Sequence, residues 1–137
     1  MKPPNRKRLP ASPEEWMVHA RSDMALAKRG KDDPDILPQQ VCFHAQQAVE
    51  KALKAVLLAK NVDFPLTHDI VELLDIFEGA DISLPVGFSE TAILTPYAVE
   101  AHYPGFWEDI SEKDVEEALQ LAEMVLSWVR KRVIGKT

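Results

Sequence analysis

Hydrophobic residues recur every three to four positions in five stretches of the chain, which is the spacing of amphipathic helices. The predicted helices cover residues 12–29, 38–61, 67–79, 89–101 and 111–134. The fourth is shorter and is interrupted or bent at Pro96. No stretch has the pattern of a β-strand longer than a few residues, and there is no internal repeat. The pattern predicts an all-α fold, an antiparallel up-and-down bundle of four or five helices.

Three helix starts carry capping residues. Ser12 precedes proline at the first helical position and Glu15 at the third, which is a capping box. Thr67 is the predicted N-cap of the third helix. Ser111 with Asp114 three residues later caps the last helix. These caps fix where the predicted helices begin.

The second helix combines an alanine-rich apolar face with an ordered polar edge. At about 100° per residue, one broad face collects the small hydrophobic residues. These are Val41, Ala45, Ala48, Val49, Ala52, Ala55, Val56 and Ala59. Beside them His44, Gln47, Lys51 and Lys54 fall within an arc of about 80°. Small residues allow a neighbouring helix to approach closely, and the polar edge offers an imidazole, an amide and two ammonium groups to one ligand.

The last helix has more apolar surface than one face can bury. Its core stripe is Val115, Ala118, Leu119, Ala122, Val125, Leu126, Val129 and Val133. A second ridge of Leu121, Met124 and Trp128 lies about 120° away. This ridge is either a dimer surface or is covered from within the chain, by a neighbouring helix or by the predicted loop at 79–88.

Length and charge define a single acidic domain. The 137 residues, 46% of them hydrophobic, suffice for one core over residues 12–134. Residues 1–11 are basic and proline-rich and are predicted to form a flexible arm. Residues 9–129 hold all 22 acidic side chains against eight basic ones, so their net charge is −14. Such a body disfavours broad nucleic-acid binding. The basic ends are interpreted as solubilising tails and as charges that complement the dipole of the last helix, and contact with RNA or an acidic partner is the alternative.

The remaining composition indicates a cytoplasmic protein that does not bind membranes. No apolar run approaches the roughly 18 residues that span a bilayer, and the N-terminus lacks the apolar segment of a secretory signal. The lone Cys42 cannot form an internal disulfide and is predicted to be a small core or interface residue.

Several kinds of chemistry are disfavoured by missing motifs. There is no His-x-x-x-His or Cys-x-x-Cys pair, so no metal site is predicted. Glycine-rich phosphate loops and nucleophile elbows are also missing, and no cofactor is expected. A nucleotide would have to be held by helix N-termini and by Gln47, Lys51 or Lys54, with His44 beside them.

Two further histidines differ in their surroundings. His68 follows Thr67 and is predicted to close the start of the third helix. His102 lies at a helix end beside Tyr103 and a Pro-Gly turn, where a titratable group is displayed among aromatic rings. His102, Tyr103 and His44 are therefore the candidate catalytic residues. An aromatic plug for the end of the bundle is the alternative for the first two, and a histidine that hydrogen-bonds a neighbouring helix is the alternative for His44.

Three blocks of the sequence resemble the HEPN domain family of prokaryotes. They are Phe43 to Ala55 (FHAQQAVEKALKA), Thr67-His68-Asp69, and Tyr97 to Gly105 (YAVEAHYPG). The resemblance covers most of residues 13–133. It implies an all-α bundle of about five helices, a homodimer, and a gene next to a minimal nucleotidyltransferase with which it forms a toxin–antitoxin pair.

In nuclease members of the family, an Arg followed by a polar residue and, after four to six intervening positions, a His form a metal-independent RNase site at the dimer interface. No arginine of this chain has a His or Tyr at that spacing, and His102 stands where relatives often have Arg. Loss of a guanidinium removes a permanent phosphate donor. The leading interpretation is thus a dimeric interaction or nucleotide-binding module in a toxin–antitoxin pair. The alternative is an RNase toxin with a modified site.

Overall fold

The computed structural model of the chain describes residues 12–100 and 110–133. Within these ranges all regular structure is helical. The α-helices are α1 (Pro13–Lys31), α2 (Pro38–Ala59), α3 (Ile70–Gly79), α4 (Thr95–Glu100) and α5 (Glu112–Val133), and a 3₁₀ segment covers Phe88–Leu94. None of the described helices is both long and apolar enough to cross a bilayer. The predicted all-α bundle is confirmed.

Two of the three predicted caps form as expected. In the capping box of α1, the Glu15 N–H donates to Ser12 Oγ and the Ser12 N–H donates to Glu15 Oε1. Ser111 and Asp114 make the same reciprocal pair before α5. The third cap is shifted by two residues. Asp69, rather than Thr67, is the N-cap of α3, and its carboxylate accepts the N–H of Val71.

α2 is the central helix and contacts every other α-helix. It runs antiparallel to α1, since Gly30 near the end of α1 faces Val41 near the start of α2. Ion pairs of Lys28 with Glu123 and of Lys31 with Glu116 show that α1 is also antiparallel to α5. α2 and α5 are consequently parallel to one another, with α1 beside both.

The alanine face of α2 forms the middle of the core, as its spacing predicts. Ala45, Ala48, Ala52 and Ala55 have no solvent exposure, and of the predicted face only Ala59, at the helix end, is exposed. Small side chains are also required where α1 turns into α2. A Cβ added to Gly30 would lie 3.0 Å from Ile36 Cγ2 and 3.1 Å from Val41 Cγ2, which is closer than ordinary packing. A Cβ at position 30 would therefore require the side chains of Ile36 and Val41 to move by a few tenths of an ångström.

The fourth predicted helix is divided into two parts. Residues 88–94 form the 3₁₀ segment, and α4 begins only at Thr95, with Pro96 in its first turn where a missing N–H costs nothing. Gly87 precedes the 3₁₀ segment with a φ of 99°, a left-handed conformation that glycine adopts without strain. The Thr95 hydroxyl accepts the N–H of Ile70 and so connects α4 to the start of α3.

The second apolar ridge of α5 is covered from within the chain. Leu121 is buried, while Met124 and Trp128 are half-buried. The ring of Phe88 in the 3₁₀ segment packs edge-on against Trp128 at a centroid distance of 5.2 Å. The same indole contacts the Arg132 guanidinium at 4.0 Å. Of the two alternatives for this ridge, the structure therefore favours the intramolecular cover over a dimer surface.

We expect Phe88→Ala to lower the free energy of unfolding by about 3–5 kcal/mol, because it removes a fully buried ring from the ridge of α5. Urea denaturation followed by circular dichroism measures the change. Val86→Ala, two residues earlier on a fully exposed side chain, is the matched control and should change the stability by less than about 0.5 kcal/mol. Equal stabilities of the two variants would show that the 3₁₀ segment does not cover the ridge.

Candidate functional site

Two carboxylates organise the polar edge of α2. The first is Asp23, which lies on the inner face of α1 and is 8% exposed. Its Oδ1 is 2.9 Å from Nδ1 of His44, and its Oδ2 accepts from Lys51 Nζ at 2.7 Å. Because a carboxylate only accepts, the His44 ring donates through Nδ1 and, when neutral, keeps Nε2 as its free acceptor. Asp23 thus links a histidine and a lysine that lie about two turns apart on α2.

The second carboxylate is Glu50, which is almost fully buried inside α2. Its Oε2 accepts from Lys54 Nζ at 2.7 Å, and its Oε1 accepts from the Gln46 amide at 3.2 Å and the Gln47 amide at 3.3 Å. The His68 ring lies 3.0 Å from the same Oε1 through Nδ1. A buried charge is tolerated only when it is paired and hydrogen-bonded, and Glu50 meets both conditions.

Lys54 is an enclosed cation, with a side chain only 6% exposed. Besides Glu50 it donates to the Thr67 carbonyl at 2.8 Å. Its ammonium group also lies 5.6 Å from the ring centroid of Trp16 and 5.8 Å from that of Phe64, within the range of cation–π attraction. These contacts leave little of its charge directed towards solvent.

The segment before α3 is held to α2 by the same groups. The Gln46 amide donates to the His68 carbonyl at 3.0 Å, and Lys54 binds the carbonyl of Thr67 one residue earlier. The His68 ring covers Glu50 from the solvent side, with about two thirds of its own surface exposed. His68 therefore has a structural role at the start of α3, through its contacts with α2.

Gln47, Lys51 and Lys54 were predicted as nucleotide contacts on the ground that they share one edge of α2. The structure does place them on that edge, but each already has a carboxylate partner, Glu50 for Gln47 and Lys54 and Asp23 for Lys51. A phosphate at Lys54 would have to displace a buried carboxylate. The role of these side chains in nucleotide binding stays a prediction.

His102 and Tyr103 lie outside the described residues. α4, which precedes them, packs with Tyr97 against Cys42 of α2. Cys42 and His44 are two positions apart on a helix, so their side chains point about 200° apart. Tyr97 and His44 are thus on different sides of α2 within one chain.

Cys42 is fully buried, as predicted for a core cysteine. Burial raises the pKa of its thiol to about 11, and the hydrogen bond with the Tyr97 phenol only partly offsets this effect. Burial likewise raises the pKa of Tyr97, and the neighbouring Cys42 adds to the shift. Because a thiol is nucleophilic only as thiolate, Cys42 is inert at neutral pH.

The carboxylates that build this site are not among the sequence-predicted residues. Asp23 had a detectable signal, since it is a charged residue on the apolar stripe of α1, three residues after Ala20. Glu50 also had one, because it stands four residues after Gln46 and four before Lys54, the spacing at which helical side chains meet. No group of three or more potential metal ligands occurs in the described ranges.

Comparison with known proteins gives one family and two solved structures. The family model of the HEPN domain matches residues 13–132. The structure of TT1696 from Thermus thermophilus is 28% identical in sequence, with a TM-score of 0.75 over 88% of this chain and 97% of that one. ST0689, described as an archaeal HEPN homologue, is 23% identical, with a TM-score of 0.72 over 90% and 99% of the two chains. Curated proteins give no match.

We expect Glu50→Gln to cost about 3–5 kcal/mol of unfolding free energy, because it leaves the Lys54 ammonium buried without its countercharge. Thermal and urea denaturation measure the loss. Glu78→Gln, an exposed position of α3, is the control and should stay within about 0.5 kcal/mol of the unsubstituted protein.

Adding Lys54→Met to Glu50→Gln removes the orphaned charge and should recover part of the loss. If Glu50→Gln is as mild as Glu78→Gln, the carboxylate does not hold the site together.

Proposed function

Because the chain belongs to the HEPN domain family, we propose that it is a dimeric helical module that binds a minimal nucleotidyltransferase as one half of a toxin–antitoxin pair. The family indicates a module connected with nucleotides or RNA. Its nuclease members depend on an Arg and a His at a fixed spacing, and this chain has no such pair. The proposal therefore assigns the chain to binding rather than to chemistry.

The observation that carries this proposal is the internal pairing of the polar edge of α2. Asp23 and Glu50 engage Lys51 and Lys54, the two cations predicted to meet a phosphate. A site evolved for a free anion keeps its cations available, whereas these are used to hold α1, α2 and the segment before α3 together. The edge is thus better suited to fixing a shape that a partner recognises.

The dimer of this proposal requires a surface other than the second ridge of α5, which Phe88 covers. Half-exposed apolar side chains elsewhere offer one, among them Val18 and Leu26 on α1 and Val71 on α3.

We expect the purified chain to have twice the mass of one chain in light scattering at micromolar concentration. When it is co-expressed with a minimal nucleotidyltransferase encoded next to it, both should elute as one complex. A monomer that does not bind the nucleotidyltransferase would refute both parts of the proposal, and a dimer without such binding would refute the second part only.

A second candidate function, a metal-independent RNase, is favoured by the geometry of Asp23 and His44. The carboxylate fixes the ring so that Nε2 remains a free acceptor, and about a quarter of the side chain is exposed. In such a reaction Nε2 would take the proton of a ribose 2′-hydroxyl, whose oxygen attacks the adjacent phosphorus. The 5′-oxygen would then leave with a proton from another group, for which His102 or Tyr103 is the candidate.

If this second function is correct, RNA is cleaved in the presence of a chelator, and His44→Ala lowers the rate by about 10²–10⁴-fold. Asp23→Asn should also lower it, because the ring loses its fixed tautomer. His19→Ala, an exposed histidine of α1, is the control and should leave the rate unchanged. The absence of cleavage, or cleavage that persists in both His44→Ala and His102→Ala, would exclude this RNase.

A further inference from the structure

The interface of α1 and α5 holds two pairs of a cation with an anion, and a third position along it holds two cations. Lys28 Nζ contacts Glu123 Oε1 at 2.8 Å, and near the end of α1 Lys31 contacts Glu116 at 3.8 Å. Seven residues are about two turns of a helix, or about 10 Å along its axis. In a pair of antiparallel helices, two residues that face each other are therefore followed by another facing pair, seven residues earlier on one helix and seven later on the other. From Lys28 and Glu123, that step leads to Arg21 and Arg130.

The structure places these two arginines together. Arg21 and Arg130 line the same groove between α1 and α5, which has a volume of about 230 Å³. Its apolar lining is Met24, Ala25 and Leu126. The ion pair of Lys28 and Glu123 also lines the groove, so the carboxylate of Glu123 is already engaged by a cation. Arg21 and Arg130 thus face each other as two cations, whereas Lys28 and Glu123, two turns away, face each other as a cation and an anion.

Neither guanidinium has a carboxylate partner among residues 12–100 and 110–133. This is unusual for a body in which acidic side chains outnumber basic ones by 14 between residues 9 and 129. A basic residue near a helix C-terminus complements the helix dipole, which accounts for Arg130. It does not account for Arg21, which lies in the middle of α1.

We propose that the groove between Arg21 and Arg130 binds a phosphate group of a phosphorylated ligand, either RNA or a free nucleotide. Guanidinium groups bind phosphate oxygens bidentately, so two of them can hold a terminal phosphate with its charge of about −2 or a phosphodiester of RNA with its single negative charge. The site is separate from the polar edge of α2, and it requires neither the dimer nor the nucleotidyltransferase.

The test is fluorescence anisotropy of a labelled short single-stranded RNA with the full-length chain at low salt, with tripolyphosphate as competitor. We expect the RNA to bind and tripolyphosphate to displace it. Binding of tripolyphosphate in calorimetry without binding of RNA would support the site with a free phosphorylated compound as its ligand. No binding of either probe, or displacement by poly-glutamate as effective as by tripolyphosphate, would overturn the proposal.

Arg130→Glu should weaken binding by at least about tenfold, because it removes one charged donor and adds a repulsive charge. It should not lower the melting temperature, since the introduced carboxylate would face Arg21 as Glu123 faces Lys28. Lys113→Glu makes the same change in net charge at the other end of α5, on an exposed side chain, and should bind almost as well as the unsubstituted chain. Equal losses in the two variants, or none in Arg130→Glu, would show that the groove is not the site.

Discussion

The fold depends on the ion pair between Glu50 and Lys54 inside α2. Both side chains are almost fully buried. Burial of a charge costs several kcal/mol of free energy unless the charge is paired and hydrogen-bonded. Some of those partners lie outside α2: Lys54 donates to the carbonyl of Thr67, and Glu50 contacts the ring of His68. The pair therefore holds Thr67 and His68, the segment before α3, against α2.

The alanine face of α2 has the complementary effect. Short side chains bring α1 and α5 close to the central helix, and this closeness encloses the polar edge on the side of α1. Asp23 could not reach both His44 and Lys51 across a wider interface. Packing on one face and ion pairing on the edge are thus two consequences of the same short distance between helices, and a larger residue on the face would disturb both.

The sequence predicts most of the fold, because helix caps and apolar periodicity are local properties. Ser12 and Ser111 cap α1 and α5 as predicted, and the second helix has nearly its predicted length. The predictions were less accurate where contacts between residues far apart in the sequence determine the local structure. Asp69 replaces Thr67 as the cap of α3. The segment that begins at Phe88 forms a 3₁₀ helix, and the ring of Phe88 packs against Trp128. The Glu50 partner of Lys54 follows from the spacing of four residues within α2, whereas the Asp23 partner of Lys51 lies on another helix. Periodicity places Lys51 on a face of α2 but does not identify the residue of α1 that lies opposite it.

The cations of the described chain include two groups with different surroundings. Lys54 is buried and Lys51 is partly buried, and each is bound to a carboxylate that is itself buried, where a low dielectric makes an ion pair strong and an unpaired charge costly. Arg21 and Arg130 are exposed, where water lowers the cost of leaving them unpaired. Of these two groups, only the second can exchange water for a ligand without dismantling the core. A cation that stabilises the fold and a cation that is available to an anion therefore differ mainly in how deeply they are buried. Burial depends on contacts across the fold, so a single sequence does not show it directly.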